Sequence, residues 1–183
     1  VAALKGLIFP LDDITAADSE EDWYTYAKQL SRIDESTFGL PFAGDALLFM
    51  YRPANTSDIP DTWQSVIALN QPVLFPASDP QALVTMTLYQ SVGGLVQDQD
   101  GHPTIQAEPL QQVLESYAEG SHSGVFPSWI TQYQDDDQTW QAYQEERVDY
   151  LITWSSQFLT KGPVSSSAGQ LPSMTDVPYT SAD

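Results

Sequence analysis

"PFAGDALLFMYR", residues 41–52, places a carboxylate, Asp45, at the head of the apolar run Ala46, Leu47, Leu48, Phe49, Met50 and Tyr51. A run this long without polar alternation suits a strand covered on both faces, as in a parallel or mixed sheet flanked by helices. It predicts a strand over residues 41–51 and an α/β fold. The acid at its edge needs hydrogen-bond donors or solvent, because burying it unpaired costs several kcal/mol. Asp45 therefore either has a protein partner or lines a cleft and meets a ligand there.

Composition narrows the function. Six Lys plus Arg stand against 25 Asp plus Glu in 183 residues, a formal charge of −19, which makes nucleic acid and anionic membrane surfaces poor partners. Cysteine is absent, so thiolate metal sites and disulfides are absent too. Five Trp, nine Tyr and seven Phe are many for a plain helical module of this charge, and Trp and Tyr combine a flat apolar face with a polar handle. No apolar run reaches the length of about 20 residues that spans a bilayer. "VAALKGLIFPLDD" reads as though it starts inside a helix, so a mature product or, in preference, an excised piece of a longer chain is expected.

Along the chain, residues 1–5 read as a helix end stopped by Gly6. "LIFPLDD" is extended and leads to a turn at Asp12-Asp13. "TAADSEEDWYTYAKQLSRI" has acids early and Lys28 and Arg32 late, the charge order of a helix, with Trp23, Tyr26, Ala27 and Leu30 on its inner face. Asp61 or Thr62 caps a helix through "WQSVIALN". "PVLFPASDP" gives a strand, Val73 to Phe75, and then a helix capped by Ser78 or Asp79 with Pro80 in its first turn, ending at Gly93-Gly94. "LVQDQDGHPTIQAEP" is a hairpin turned at Asp100-Gly101. "EPLQQVLESYAEG" and "DQTWQAYQEER" are helices, "VDYLITW" is a strand, and the Ser, Pro and Gly-rich "KGPVSSSAGQLPS" is a linker or crossing segment.

Several chemical motifs fail on spacing. With Gly101 at the sixth place of a calcium loop, Val96 and Ala107 would fall where carboxylates are needed. His102 and His122 lack any zinc or triad spacing and read as surface residues. Asp135 to Asp137 read as a solvated helix cap. Glu145 and Glu146, adjacent on a helix, point apart and do not make a glycosidase pair. Gly93-Gly94 has no phosphate-cradling pattern. No metal or cofactor is expected. In open α/β sheets ligands bind beyond the carboxyl ends of strands, which directs attention to the loop Pro76 to Gln81 and to Trp154 to Phe158.

Six segments in order, "LKGLIFPLDD", "FGLPFAGDALLFMYRP", "IPDTW", "YQSVGGLVQDQDGHPTIQAEPLQQVLESY", "WQAYQEERVDYLITWSS" and "GQLPS", resemble the extracellular solute-binding proteins of sugar-importing ABC transporters. Arg52 stands where that pattern has Asn, and "EERVDYL" replaces its "GxAAM" segment. The resemblance implies a lobe of the type II periplasmic-binding-protein-like fold, a mixed sheet flanked by helices, from a fragment of a two-lobed protein. Residues 1–44 would end the first lobe and approach the hinge, 45–160 form the second lobe, and 161–183 return towards the first.

The same resemblance implies a non-catalytic carrier that binds a sugar or oligosaccharide and delivers it to ABC permease subunits. It would be a monomer, extracellular or periplasmic, and a lipoprotein tether is compatible with it. Asp45 matches the crossing-strand acid that contacts sugar in maltodextrin-binding members. Trp154 or Phe158 matches the aromatic that stacks on the sugar ring, and Asp79 and Gln81 match a ligand-contacting loop. Phe42 and Ser156 complete the expected set, while Trp63 is expected to anchor a helix start. A carbohydrate-active enzyme domain and an acidic protein-interaction module are the alternative readings.

Overall fold

The apolar run becomes the middle of a sheet, although the strand is shorter than the run. In the computed structural model, which describes residues 2–3, 5–12, 24–33, 35–56, 59–161 and 165–174, the chain divides into two units, residues 1–45 and 46–183.

In the first unit, the Gly6 N–H donates to Ala3 C=O (2.8 Å) and the Leu7 N–H to Ala2 C=O (3.0 Å), with Gly6 at φ +65°. This pair of bonds closes a helix-type end, and it needs a residue that tolerates the left-handed conformation. Helix α1 spans only Thr25–Leu30. The expected longer helix is not borne out at its end, where Arg32–Ile33 (β1) pairs antiparallel with Ser36–Thr37 (β2). Leu30, expected on the inner face, is 83% exposed. The start of that helix and Trp23 lie outside the described residues. The Asp12 carboxylate accepts from the Thr37 N–H at 2.9 Å, which holds its pKa below the usual carboxylate value.

The second unit is built on a four-stranded sheet. Leu47–Tyr51 (β3) lies between Tyr150–Trp154 (β5) and Ser167–Gln170 (β6), antiparallel to both, and Val73–Leu74 (β4) runs parallel to β5 at the edge. The sheet is therefore mixed, as expected. Residues 41–46 are not strand, so Asp45 precedes β3 instead of lying within it. The segment containing "SSSAGQ" is no linker: its Ser167 to Gln170 complete the sheet.

Helices cover the sheet. Trp63–Ala68 (α2) is capped by Thr62, not Asp61; the Ser65 N–H donates to Thr62 Oγ1, and the Thr62 N–H donates back to Ser65 Oγ, a reciprocal cap. Leu83–Ser91 (α3) begins later than expected. Pro80 lies outside it, and Asp79 instead accepts from the N–H groups of Gln81 (2.8 Å) and Leu83 (2.9 Å). Ala107–Ser123 (α4) and Asp136–Gln144 (α5, capped by Asp135) follow the expected helices. Between α3 and α4 the Asp100-Gly101 hairpin forms, bridged at Gln97 and Pro103. Residues 155–161, not anticipated as a helix, form α6 (Ser155–Lys161) directly from the end of β5.

Phe49, Met50, Leu74, Leu88, Leu151 and Ile152 are fully buried. Beside them Phe75, Tyr117, Phe126 and Trp63 interlock with ring centroids 5.5–5.8 Å apart. Trp63 is buried and its backbone N–H donates to Ser173 C=O at 2.7 Å, in keeping with an anchoring part. At each CH₂ removed from water, burial is worth about 0.8 kcal/mol, so this cluster fixes where the strand ends lie.

Candidate functional site

Strand directions select one edge of the sheet. β5 and β6 are each antiparallel to β3, and β4 is parallel to β5, so β4, β5 and β6 all run the same way. Their carboxyl ends share an edge with the amino end of β3, where Leu47 pairs with Trp154 and Leu48 with Gln170. Such an edge is where open α/β sheets receive ligands.

Trp154, the last residue of β5, is half-buried and packs partly against the core. Its neighbour fixes the chain entry into β3: the Ser155 N–H donates to Ala46 C=O (2.8 Å), and the Ala46 N–H donates to Ser155 Oγ (3.2 Å). The loop after β4 is held in place from the other side. The Ser78 N–H donates to Tyr133 C=O (3.0 Å) and its hydroxyl to Thr131 C=O (2.5 Å).

That tie draws Asp79 towards the start of α5. There Asp136 is partly buried, with Thr153 Oγ1 3.5 Å from its carboxylate. Burial, and next the negative charge of Asp79, push the Asp136 pKa up. Its neighbour Asp137 is held below the usual value by hydrogen bonds from Lys161 (2.6 Å) and then Gln157 (3.2 Å). Sequence reading had passed over all three acids as a solvated cap. Asp135 does cap, accepting from the Gln138 N–H at 2.9 Å, and Asp137 is exposed. Asp136 is neither: it turns back onto Thr153 of β5. Its only legible signal was its place at a helix start.

The structure thus brings Trp154, Asp79 and Asp136 to the carboxyl ends of β4 and β5. Phe158, on α6, is half-buried against the core, while Ser156 and Gln81 are exposed. Gln81 contributes its N–H to Asp79. Asp45 and Phe42 belong to the first unit, where both are exposed, Phe42 to 99%.

Outside this edge, one set among the described residues could hold a cation. Ligand atoms of Asp98, Asp100 and His102 in the hairpin lie within 4.8 Å of one another, all exposed. Asp98 Oδ1 already accepts from the N–H groups of Asp100 and His102, 2.9 Å each, so the carboxylate is accounted for by the turn. Among the described residues no helix is long and apolar enough to cross a membrane.

One edge of the mixed sheet thus holds a half-buried tryptophan and two carboxylates. Residues 1–174 match the family of bacterial extracellular solute-binding proteins, and the chain belongs to that family. Among curated proteins nothing matches. Among solved structures it is similar to a maltose-bound MalE3 of T. maritima, with a TM-score of 0.71 at 15% identity over 91% of this chain and 48% of that one. It is also similar to the maltose/maltodextrin-binding domain MalE from Bdellovibrio bacteriovorus bound to maltotriose, with a TM-score of 0.68 at 16% identity over 94% of this chain and 48% of that one. The chain spans about half the length of each.

Proposed function

We propose that the second unit supplies one wall of a saccharide-binding site in a non-catalytic carrier that serves an ABC import permease outside the cytoplasmic membrane. The observation that carries this reading is the half-buried Trp154 at the shared carboxyl edge of β4, β5 and β6, next to the carboxylates of Asp79 and Asp136. A flat ring offers a sugar face its apolar C–H groups, and ionised carboxylates accept from adjacent hydroxyls. The two similar structures are described as holding maltose and maltotriose, which supports an oligosaccharide as the solute.

Within this reading residues 1–44 end a first lobe, 45–160 form the second and 161–183 return towards the first. Asp45, Phe42, Gln81, Ser156 and Phe158 remain in the ligand-contacting set because of the sequence resemblance. Closure of two lobes about hinge strands would exclude water from the bound sugar.

Titrating the intrinsic tryptophan fluorescence of the full-length protein with maltose, maltotriose and other neutral oligosaccharides tests the proposal. A saturable change without product formation is expected, and Asp45→Ala should weaken it more than it lowers thermal stability. Silence towards every saccharide would refute the carrier reading, and release of a hydrolysis product would replace it with an enzyme.

A further inference from the structure

Strand β5 and helix α6 meet without a loop: Trp154 ends the one and Ser155 opens the other. Such a join conflicts with the sheet ladder. Across β3 and β5 the pairs run from Tyr51 with Tyr150 to Leu47 with Trp154, so Ala46 faces Ser155 one step further on. In an antiparallel ladder every second pair exchanges two N–H to C=O bonds. Arg52 and Asp149 lie at such a position, because the Arg52 N–H donates to Asp149 C=O at 3.2 Å. Counting along the strands by twos, so do Ala46 and Ser155.

Half of that exchange is made by backbone alone, the Ser155 N–H donating to Ala46 C=O at 2.8 Å. The other half would need Ser155 C=O, but a residue that opens a helix directs its carbonyl along the helix axis. In its place the Ala46 N–H donates to Ser155 Oγ at 3.2 Å. A side-chain oxygen stands in for the missing carbonyl, and the ladder keeps its last rung while the backbone turns. Without the hydroxyl, one bond instead of two holds the chain at the point where strand becomes helix. Trp154 is the residue next to that point, half-buried and packed in part on the core.

Resting on the saccharide reading above, we propose that Ser155 is a positioning residue for the site: its hydroxyl fixes the strand-to-helix join that sets the Trp154 ring against a sugar. The role requires no contact between Ser155 and the ligand. The Ala46–Ser155 bond is exposed to solvent, so water replaces it at little cost to overall stability. An aromatic stack, by contrast, depends on where the ring sits. Loss of the rung should therefore show in affinity and not in folding.

The test measures maltotriose affinity by calorimetry and hydrogen exchange of the Ala46 amide, both in the full-length protein. Ser155→Thr keeps an oxygen on Cβ, and Ser155→Val has the same shape without it, so the pair separates the bond from its packing. Ser155→Val should bind maltotriose about fivefold more weakly than Ser155→Thr, the worth of one ordinary hydrogen bond. Its Ala46 amide should exchange faster, with the two urea midpoints nearly equal. In a Trp154→Ala background the difference between the two variants should vanish, because the ring through which the rung acts is gone. Equal affinity of Ser155→Thr and Ser155→Val, or a difference that persists in full with Trp154→Ala, overturns the positioning role and leaves the carrier reading standing. A urea midpoint that falls in step with affinity overturns it too, by assigning the rung to folding. A wild type that binds no saccharide removes both readings.

Discussion

The two edges of the second unit's sheet hold their charged groups in opposite ways. At the amino end of β5, Arg52 is 12% exposed in its side chain and set among an anion, a carbonyl and an aromatic ring, although its Nε finds no hydrogen-bond acceptor. Its guanidinium donates to Tyr143 C=O, lies 4.4 Å from the centre of the Tyr143 ring, and sits 3.8 Å from Asp149, whose carboxylate also accepts from Asn55 at 2.7 Å. At the carboxyl end, Asp79 and Asp136 are neighbours of like charge and Gln157 Oε1 has no donor. One edge is closed by a cation set against an anion and an aromatic ring, and the other is left open, with two carboxylates of like charge near each other. In the proposed reading it is the second edge that meets the ligand.

Breaking the closed edge should cost most in stability and least in binding. Arg52→Ala removes the cation from Tyr143 C=O and Asp149, which keep the Glu146 N–H and Asn55, and we expect a loss of about 2 kcal/mol in urea denaturation, below the figure for a fully buried pair because Asp149 is partly exposed. Arg52→Lys should recover only part of this, since an ammonium does not reproduce a planar group that donates and stacks together. Saccharide affinity should stay within twofold in both. The open edge should behave in the reverse sense: Trp154→Ala is expected to weaken saccharide binding about tenfold, the worth of a lost aromatic stack, with Trp154→Phe retaining most of the affinity. If Arg52→Ala lost binding and Trp154→Ala lost only stability, the contrast between the edges would be wrong.

What the sequence made legible follows the strength of each local signal. β3 and β5 were visible because their apolar runs have no alternation, and Gly6 and Gly101 because each turn demands a positive φ. The start of α3 was misplaced because Pro80 and Asp79 form a reasonable helix entry, yet the Asp79 carboxylate spends itself on the N–H groups of Gln81 and Leu83 before the helix begins. α6 was missed because "WSSQFLT" has weak helical periodicity, and its placement comes from Ser155 being held by Ala46, more than a hundred residues away. The same limit hid Asp136. Nothing within its own segment says that the loop after β4 is tied to Tyr133 and Thr131, and only that long-range tie brings Asp79 near it.

The smallest expected effects come from two adjacent residues whose signs differ. Asp136 has a raised pKa, from burial first and from Asp79 next, so the folded protein holds its proton more tightly than the unfolded chain does. Stability from this group is present below the carboxylate range of the unfolded chain and is lost as pH rises through the raised value. Asp137 has a lowered pKa, from the Lys161 hydrogen bond first, so its contribution is present above the unfolded value and fades as pH falls. Asp136→Asn should therefore gain stability over the wild type at neutral pH, with the gap closing in acid. Asp137→Asn should lose stability at neutral pH, and its gap should also close in acid, from the other side. Urea midpoints measured from acid to neutral pH on both variants would show curves that diverge in opposite directions. Two curves diverging the same way would mean that Asp136 is solvated like any helix-capping acid, and the open edge would lose the feature that separates it from an ordinary charged surface.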